Sequence, residues 1–282
     1  MDAFDFWHCG RFRLSLTRPL LMGVVNVTPD SFSDGGRYAN FDAALAHARQ
    51  LLDEGADIFD IGGESTRPGA AEVSVDEELA RTIPLIESLR DCGKPVSIDT
   101  SKPEVMRAAL AAGASIVNDV RAFAEPGAVQ AVADSDCGVV SMHMQGAPHT
   151  MQAAPHYNDV VAEVGGFLAA RRDALLAAGV VRERIALDPG FGFGKTLAHN
   201  LALLRRLTEL AALGQPLLVG LSRKSMLGAI TGKPVTQRRA ASVAAALLAV
   251  QRGASIVRVH DVAATRDALA VWHALQKEGE TA

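Results

Sequence analysis

The sequence predicts an α/β chain folded as a single (β/α)8 TIM barrel, and three observations carry that prediction. Eight short apolar runs recur along the 282 residues, each followed by a polar or Gly-rich loop and then an amphipathic stretch. The runs are continuously apolar, as expected of parallel strands covered on both faces. Several helical stretches close on one device: Glu54-Gly55-Ala56, Ala112-Gly113-Ala114, Ala178-Gly179-Val180 and Arg252-Gly253-Ala254. A glycine just past the last turn can take the left-handed backbone that ends a helix.

The strands are expected at Leu20–Val25, Ile58–Ile61, Val96–Ile98, Ser115–Val117, Val139–Met142, Ile185–Leu187, Leu217–Val219 and Ile256–Val259. Helices are expected between them at Phe41–Glu54, Asp76–Arg90, Pro103–Ala112, Ala162–Ala178, Leu197–Leu213 and Arg239–Arg252, with a last one over Thr265–Lys277. Eight such units suit a closed barrel. The alternative, an open doubly wound sheet, calls for an early Gly-rich dinucleotide fingerprint, which is missing. Within residues 3–18, Phe12, Leu14 and Leu16 alternate with polar residues and predict a hairpin capping the barrel bottom. No linker divides the chain, so residues 1–282 are expected to form one domain.

A net charge of −4 leaves no electrostatic footprint for nucleic acid or an anionic membrane. An anionic substrate must therefore be met by a few placed cations. The three cysteines, Cys9, Cys92 and Cys137, are scattered and lack metal spacing, which suits a reducing compartment. Met1–Gly10 has no apolar core of a signal peptide, and the longest apolar run, Val243–Val250, is too short to span a bilayer. A cytoplasmic protein is expected.

In such a barrel the chemistry sits at the C-terminal ends of the strands. Those positions hold Asn26 and Asp30–Asp34, Glu64-Ser65-Thr66-Arg67-Pro68, Asp99-Thr100, Asn118-Asp119, His143, Asp188-Pro189-Gly190, Ser222-Arg223-Lys224, and Arg258 with His260. Each alone can be a turn residue or cap, and Thr100, Asp119 and Asp261 need be no more. Together they are costly to bury unless they pair with each other or with a ligand. Arg258 and His260, with Arg67 opposite, suit an anion such as phosphate. Asn26 offers a hard oxygen that can hold Mg²⁺ against that phosphate. Asp99, Asn118, Asp188 and Lys224 mix donors and acceptors in a way that suits a heterocycle with ring N–H, amino and carbonyl groups.

Two other patterns point elsewhere and fail. Gly190-Phe191-Gly192-Phe193-Gly194-Lys195-Thr196 ends like a P-loop, but Pro189 stands where the first glycine belongs. It reads as a flexible loop that caps the next helix. His143, His149 and His156 fit no standard metal spacing.

Asn26-Val27-Thr28-Pro29-Asp30-Ser31-Phe32-Ser33-Asp34-Gly35-Gly36 and Gly62-Gly63-Glu64-Ser65-Thr66-Arg67-Pro68-Gly69 resemble the first two signatures of the dihydropteroate synthases. Ser97-Ile98-Asp99-Thr100, Asn118-Asp119, Asp188-Pro189-Gly190-Phe191-Gly192-Phe193, Gly220-Leu221-Ser222-Arg223-Lys224-Ser225 and Arg258-Val259-His260-Asp261 follow in the family's order. The resemblance runs from about Met22 to the C-terminus. It implies condensation of 7,8-dihydropterin-6-ylmethyl pyrophosphate with 4-aminobenzoate, giving 7,8-dihydropteroate and pyrophosphate. It also implies a pterin site of Asp99, Asn118, Asp188, Lys224, Met142 and Gly220. Asn26 would bind Mg²⁺ and, with Thr66, Arg67, Arg258 and His260, the pyrophosphate. Phe32, Pro68, Phe193 and Ser222, with Asp34, would shape the aminobenzoate site. Asp99, Lys224, Asp34 and Arg67 would stand nearest the chemistry. Sulfonamides, as aminobenzoate analogues, should then compete, and a homodimer through outer helices is implied, with the Ala-rich face of Ser242–Val250 as one candidate surface.

The residues agree with that chemistry. Pyrophosphate leaves readily only if its growing charge is neutralised. Its loss leaves a cation at the pterin methylene, beside the carboxylates of Asp99 and Asp188. Segments 27–38 and 62–74 read as lids that order on substrate. A pterin-binding methyltransferase domain would share the pocket but not Ser222-Arg223-Lys224 and the full first signature. A non-catalytic pterin binder would be expected to lack Asp99, Lys224 or Arg67. An aldolase-like barrel wants a Schiff-base lysine within a strand, and the position of Lys224 alone does not exclude it.

Overall fold

The computed structural model describes residues 5–27, 37–65, 72–146, 151–152 and 154–278. A hairpin, β1 (Phe6–Cys9) and β2 (Phe12–Ser15), precedes eight parallel strands. These are β3 (Leu20–Asn26), β4 (Ile58–Gly62), β5 (Val96–Asp99), β6 (Ile116–Asp119), β7 (Gly138–Met142), β8 (Ile185–Asp188), β9 (Leu218–Val219) and β10 (Ile256–Val259). They pair in the order β8-β7-β6-β5-β4-β3-β10-β9. The two ends meet where Leu187 bridges Leu217, and the Leu187 N–H donates to the Pro216 carbonyl at 2.9 Å. The expected barrel is present.

Several strands run one residue further than their apolar runs suggested. Asn26, Gly62, Asp99 and Asn118 stand side by side in the ladder, as register partners Asn26–Gly62, Gly62–Asp99 and Asp99–Asn118. The polar residues that end these strands are thus held by the sheet itself and not by loops.

The helices are α1 (Arg37–Asp53), α2 (Val75–Leu89), α3 (Pro103–Ala112), α4 (Ala128–Ala133), α5 (Val160–Ala177), α6 (Leu197–Arg205), α7 (Leu207–Ala211), α8 (Ser225–Thr231), α9 (Arg239–Val250) and α10 (Val262–Glu278). Gly55, Gly113, Gly179 and Gly253 take φ values of 92°, 117°, 93° and 99°, the left-handed closure read from the sequence. Two expectations are corrected. The single helix over Leu197–Leu213 breaks at Arg206 (φ −106°, ψ 25°), whose guanidinium pairs with Asp159 and Glu209. Short helices α4 and α8 were not foreseen, being too brief to show a periodic pattern.

Side chains alternate across a strand, so every second residue points into the barrel. The lower interior is apolar: Leu20, Met22, Ile58, Ile116, Val140, Ala186, Leu218 and Ile256 pack with Trp7 and Cys9 from the hairpin. Trp7 is fully buried, and its indole N–H donates to the Arg184 carbonyl at 2.9 Å. Gly138 makes room for the hairpin, since a Cβ there would lie 2.5 Å from Cys9 Sγ. Trp7→Ala should therefore lower stability by about 3–5 kcal/mol, the cost of a buried aromatic cavity. Activity per folded molecule should stay the same, because the plug is at the opposite end from the mouth. Chemical denaturation and a titrated active-site assay check both halves.

The Ala-rich face of α9 named above as a candidate dimer surface is corrected. Ser242, Ala245, Ala246, Ala249 and Val250 are buried, and α9 lies against β10. Small side chains let the helix approach the strand closely. The exposed apolar residues on α9 and α10 are instead Leu248, Val271 and Leu275. Among the described residues, no helix is long and apolar enough to cross a membrane.

Candidate active site at the barrel mouth

One step along from the apolar plug, several strands turn polar or open at the interior. Ile58 is followed two residues on by Asp60, Ile116 by Asn118, Ala186 by Asp188, Leu218 by Gly220 and Ile256 by Arg258. Asp60 is fully buried and organises this tier. It accepts from Ser97 Oγ at 2.6 Å, from Asn118 Nδ2 at 3.3 Å and from Arg258 Nε at 2.5 Å. Arg258 Nη2 donates to Asp99 Oδ2 at 2.9 Å. Arg258 is thus clamped between two carboxylates. Burial opposes its charge, but Asp60 and Asp99 outweigh that and raise its pKa.

Asp99 Oδ1 is buried and has no hydrogen-bond partner among the described residues. Burial raises the Asp99 pKa to about 7; Arg258 works against the rise and Asp60 adds to it. Asp188 is also raised by burial, with Lys224 and the Gly190 N–H opposing. Unpaired buried acceptors are costly and rare. An oxygen left so at the mouth of a barrel is free to accept from a ligand N–H.

Lys224 reaches the same space from the loop after β9. Its ammonium donates to the Phe191 carbonyl and stands 4.7 Å from the centre of the Phe193 ring. Burial lowers its pKa to about 8, and Asp188 partly restores it. Gly220 keeps the floor open: a Cβ there would lie 3.9 Å from Lys224 Nζ and 3.8 Å from Arg258 Cβ. Met142, buried, is the register partner of Asp188. Asp99, Asn118, Asp188, Lys224, Met142, Gly220 and Arg258 are therefore gathered at one end of the barrel.

Lys224 is aimed by its neighbour. Arg223 has φ +59°, a left-handed backbone that an arginine adopts only when held. Its N–H donates to Ser242 Oγ at 2.9 Å, and its guanidinium bonds Asp261 at 3.1 and 2.8 Å. This turn sets Ser222 against His260: Ser222 Oγ is 2.9 Å from Nδ1 and accepts the His260 backbone N–H at 3.2 Å.

Asn26 is half-buried at the end of β3, and a Cβ on Gly62 would sit 3.6 Å from its Oδ1. The missing side chain leaves room beside a hard oxygen. No group of three or more His, Cys, Asp or Glu suited to a metal occurs among the described residues. An ion at Asn26 would therefore take most of its ligands from phosphate oxygens and water, which suits Mg²⁺.

Phe32, Asp34, Thr66, Arg67 and Pro68 lie outside the described residues. Thr100 Oγ1 accepts the Lys102 N–H, and Asp119 accepts from Ser101 Oγ and from the N–H groups of Arg121 and Phe123, so both serve local turns. His143 Nδ1 faces Lys195 Nζ at 2.9 Å. Sequence reasoning missed Asp60 and Ser97. An Asp inside the apolar run Ile58–Ile61 was the available signal, because an acid seldom enters a buried strand without partners.

Residues 22–260 match the family of pterin binding enzymes. The chain is 56% identical over 278 residues to the dihydropteroate synthase of Neisseria meningitidis serogroup C, covering 97% of this chain and 98% of that protein. It superposes on Xanthomonas albilineans dihydropteroate synthase with 4-aminobenzoic acid at a TM-score of 0.92, with 56% identity and coverage of 98% and 99%. Against Burkholderia cenocepacia dihydropteroate synthase complexed with 7,8-dihydropteroate the TM-score is 0.91, with 54% identity and full coverage of both chains (100% each). With its polar tier and signatures in these relatives' fold, the chain belongs to the pterin binding enzyme family, among the dihydropteroate synthases.

Proposed function

We propose that the chain condenses 7,8-dihydropterin-6-ylmethyl pyrophosphate with 4-aminobenzoate, giving 7,8-dihydropteroate and pyrophosphate for folate synthesis. The observation that carries this reading is the buried, unpartnered Asp99 Oδ1 beside Asn118, Asp188 and Lys224. A pterin supplies the complementary ring N–H, amino and carbonyl groups. The Xanthomonas and Burkholderia proteins, holding 4-aminobenzoic acid and 7,8-dihydropteroate, support it.

In this reading Asp99 and Asn118 hold the pterin edge, with Asp188 and Lys224 across the pocket. Arg258 has two of its nitrogens on Asp60 and Asp99, so the remaining Nη1 is the one left to face the anion. His260, steadied by Ser222, stands with it, and Thr66 and Arg67 complete the pyrophosphate site. Asn26 Oδ1 would hold Mg²⁺, which would supply further neutralisation of the leaving group. The C–O bond to pyrophosphate breaks, and the electron pair leaves with it. The methylene cation left behind spreads into the ring beside Asp99 and Asp188. The amine of 4-aminobenzoate, seated by Phe193, Ser222, Phe32 and Pro68 with Asp34 near, forms the new C–N bond and loses a proton. No enzyme nucleophile is required: burial raises the thiol pKa values of Cys9 and Cys137, which makes them poor ones. Segments 27–38 and 62–74, whose residues 28–36 and 66–71 lie outside the described residues, are read as lids that order on substrate and exclude water.

The same reading makes the protein cytoplasmic and a homodimer through its outer helices, where Leu248, Val271 and Leu275 are exposed apolar residues. The test of function is product formation from both substrates, with Mg²⁺ and after chelation. Stoichiometric dihydropteroate and pyrophosphate, abolished by chelator and restored by Mg²⁺, is the expected result, with sulfonamides competing against aminobenzoate. Turnover unaffected by chelation would remove the metal from the scheme. No turnover with both substrates present would remove the synthase reading.

A further inference from the structure

The segment read from the sequence as a flexible loop after β8 is tightly built. Gly190, Gly192 and Gly194 all have left-handed backbones, with φ of 67°, 80° and 61°. A Cβ on Gly190 would lie 1.9 Å from the His143 carbonyl oxygen, and one on Gly194 would lie 2.4 Å from that of Gln145. The loop is therefore pressed backbone to backbone on the chain leaving β7. Asn200 Oδ1 accepts the Gly192 N–H at 2.7 Å, and the Tyr157 hydroxyl donates to the Gly194 carbonyl at 2.9 Å.

Lys195 lies at the centre of this arrangement, only 3% exposed. Its Nζ is 2.9 Å from His143 Nδ1, 2.9 Å from the Gly190 carbonyl and 3.0 Å from the Phe193 carbonyl. Burial lowers the Lys195 pKa to about 7, with Asp188 opposing; its protonated amine has three N–H donors, which these three acceptors match, and the His143 carbonyl at 3.4 Å is a fourth, longer contact. Among the described residues no carboxylate shares the charge by hydrogen bond. His143 is kept neutral, its pKa pushed down to about 3 by burial and by Lys195, so Nδ1 can offer its lone pair to the Lys195 ammonium. The ring is fixed edge-on to Phe167, with centroids 4.9 Å apart.

The carbonyls that Lys195 gathers flank the residues that meet Lys224: the Phe191 carbonyl accepts from its ammonium, and the Phe193 ring lies beside it. We propose that Lys195 and His143 are positioning residues for the pterin site, folding the 190–194 loop into the one shape that holds Lys224 over Gly220. Neither touches substrate. The inference rests on the proposed function, because it assigns Lys224 to the pterin.

The test uses 7,8-dihydropteroate as the calorimetric probe, with unfolding transitions recorded for every variant. The unaltered protein must bind it; if it does not, the functional reading fails, and this inference with it. Lys195→Met, close in size but without donors, should weaken binding by about tenfold or more and raise the KM for the dihydropterin substrate by a similar factor. His143→Leu, which removes the acceptor, should behave alike. His143→Asn, whose Oδ1 can stand in for Nδ1, should stay within about threefold of the unaltered protein. That rescue separates positioning from bulk packing, since Asn fills the space no better than Leu. If Lys195→Met fails to fold, the Leu and Asn pair at 143 decides alone. Folded Lys195→Met or His143→Leu with undiminished affinity would overturn the proposal, as would equal losses in the Leu and Asn variants.

Discussion

Asp99→Asn lowers kcat/KM by at least about a hundredfold, the size expected when a charge aimed at the transition state is lost in a dry site. Two effects combine in that expectation. Oδ1 is a buried acceptor with no hydrogen-bond partner among the described residues, so it is available to the pterin N–H. The carboxylate also faces the cation that forms when pyrophosphate departs. Asparagine keeps the shape and one acceptor but loses the charge. The fold should survive, because Arg258 still holds Asp60. The variant should also lose the acid limb of the pH profile. In the unaltered protein, binding of dihydropteroate tightens as pH rises through about 7, where Asp99 gives up its proton. A variant within a few-fold of the unaltered kcat/KM, with the acid limb intact, would remove Asp99 from the chemistry.

Arg258→Met is the second large effect, and it falls on stability as well as activity. Arg258 is the ion-pair partner of both Asp60, fully buried, and Asp99. Removing one member of a buried ion pair typically costs about 3–5 kcal/mol, because the other charge is stranded. The loss should depend on pH. Without Arg258, which works against the rise, Asp99 holds its proton to still higher pH in the folded chain than in the unfolded one. Across that window the unfolded chain binds fewer protons, so stability falls as pH rises. Urea denaturation should therefore show a larger deficit at pH 8 than at pH 5, in which range the raised Asp99 titrates. An equal deficit at both pH values would mean that lost packing, not stranded charge, is the cause.

The barrel was legible because its rules are local and repeated. Continuously apolar runs, amphipathic stretches and closing glycines recur on the same cycle, and strand alternation then decides which residues face inward. The polar strand ends Asn26, Asp99, Asn118, Asp188 and Arg258 were legible for the same reason. The break at Arg206 was not, because the apolar pattern continues through it and a one-residue departure from helical backbone leaves no periodic signal. The Ala-rich face of α9 was misread as a candidate partner surface because periodicity reports that a face is apolar, not what covers it.

What the sequence determined by itself was the architecture, the end of the barrel that carries the chemistry, and the residue types found there. Only the tertiary structure decided how those residues are paired. Arg258 bonds Asp60 and Asp99 from 198 and 159 positions away, and Lys195 meets His143 from 52. Closing a parallel barrel brings distant strand ends within hydrogen-bond range of one another. Charge state and partnership depend on such distances and on exclusion of water, neither of which is a property of any single stretch of chain.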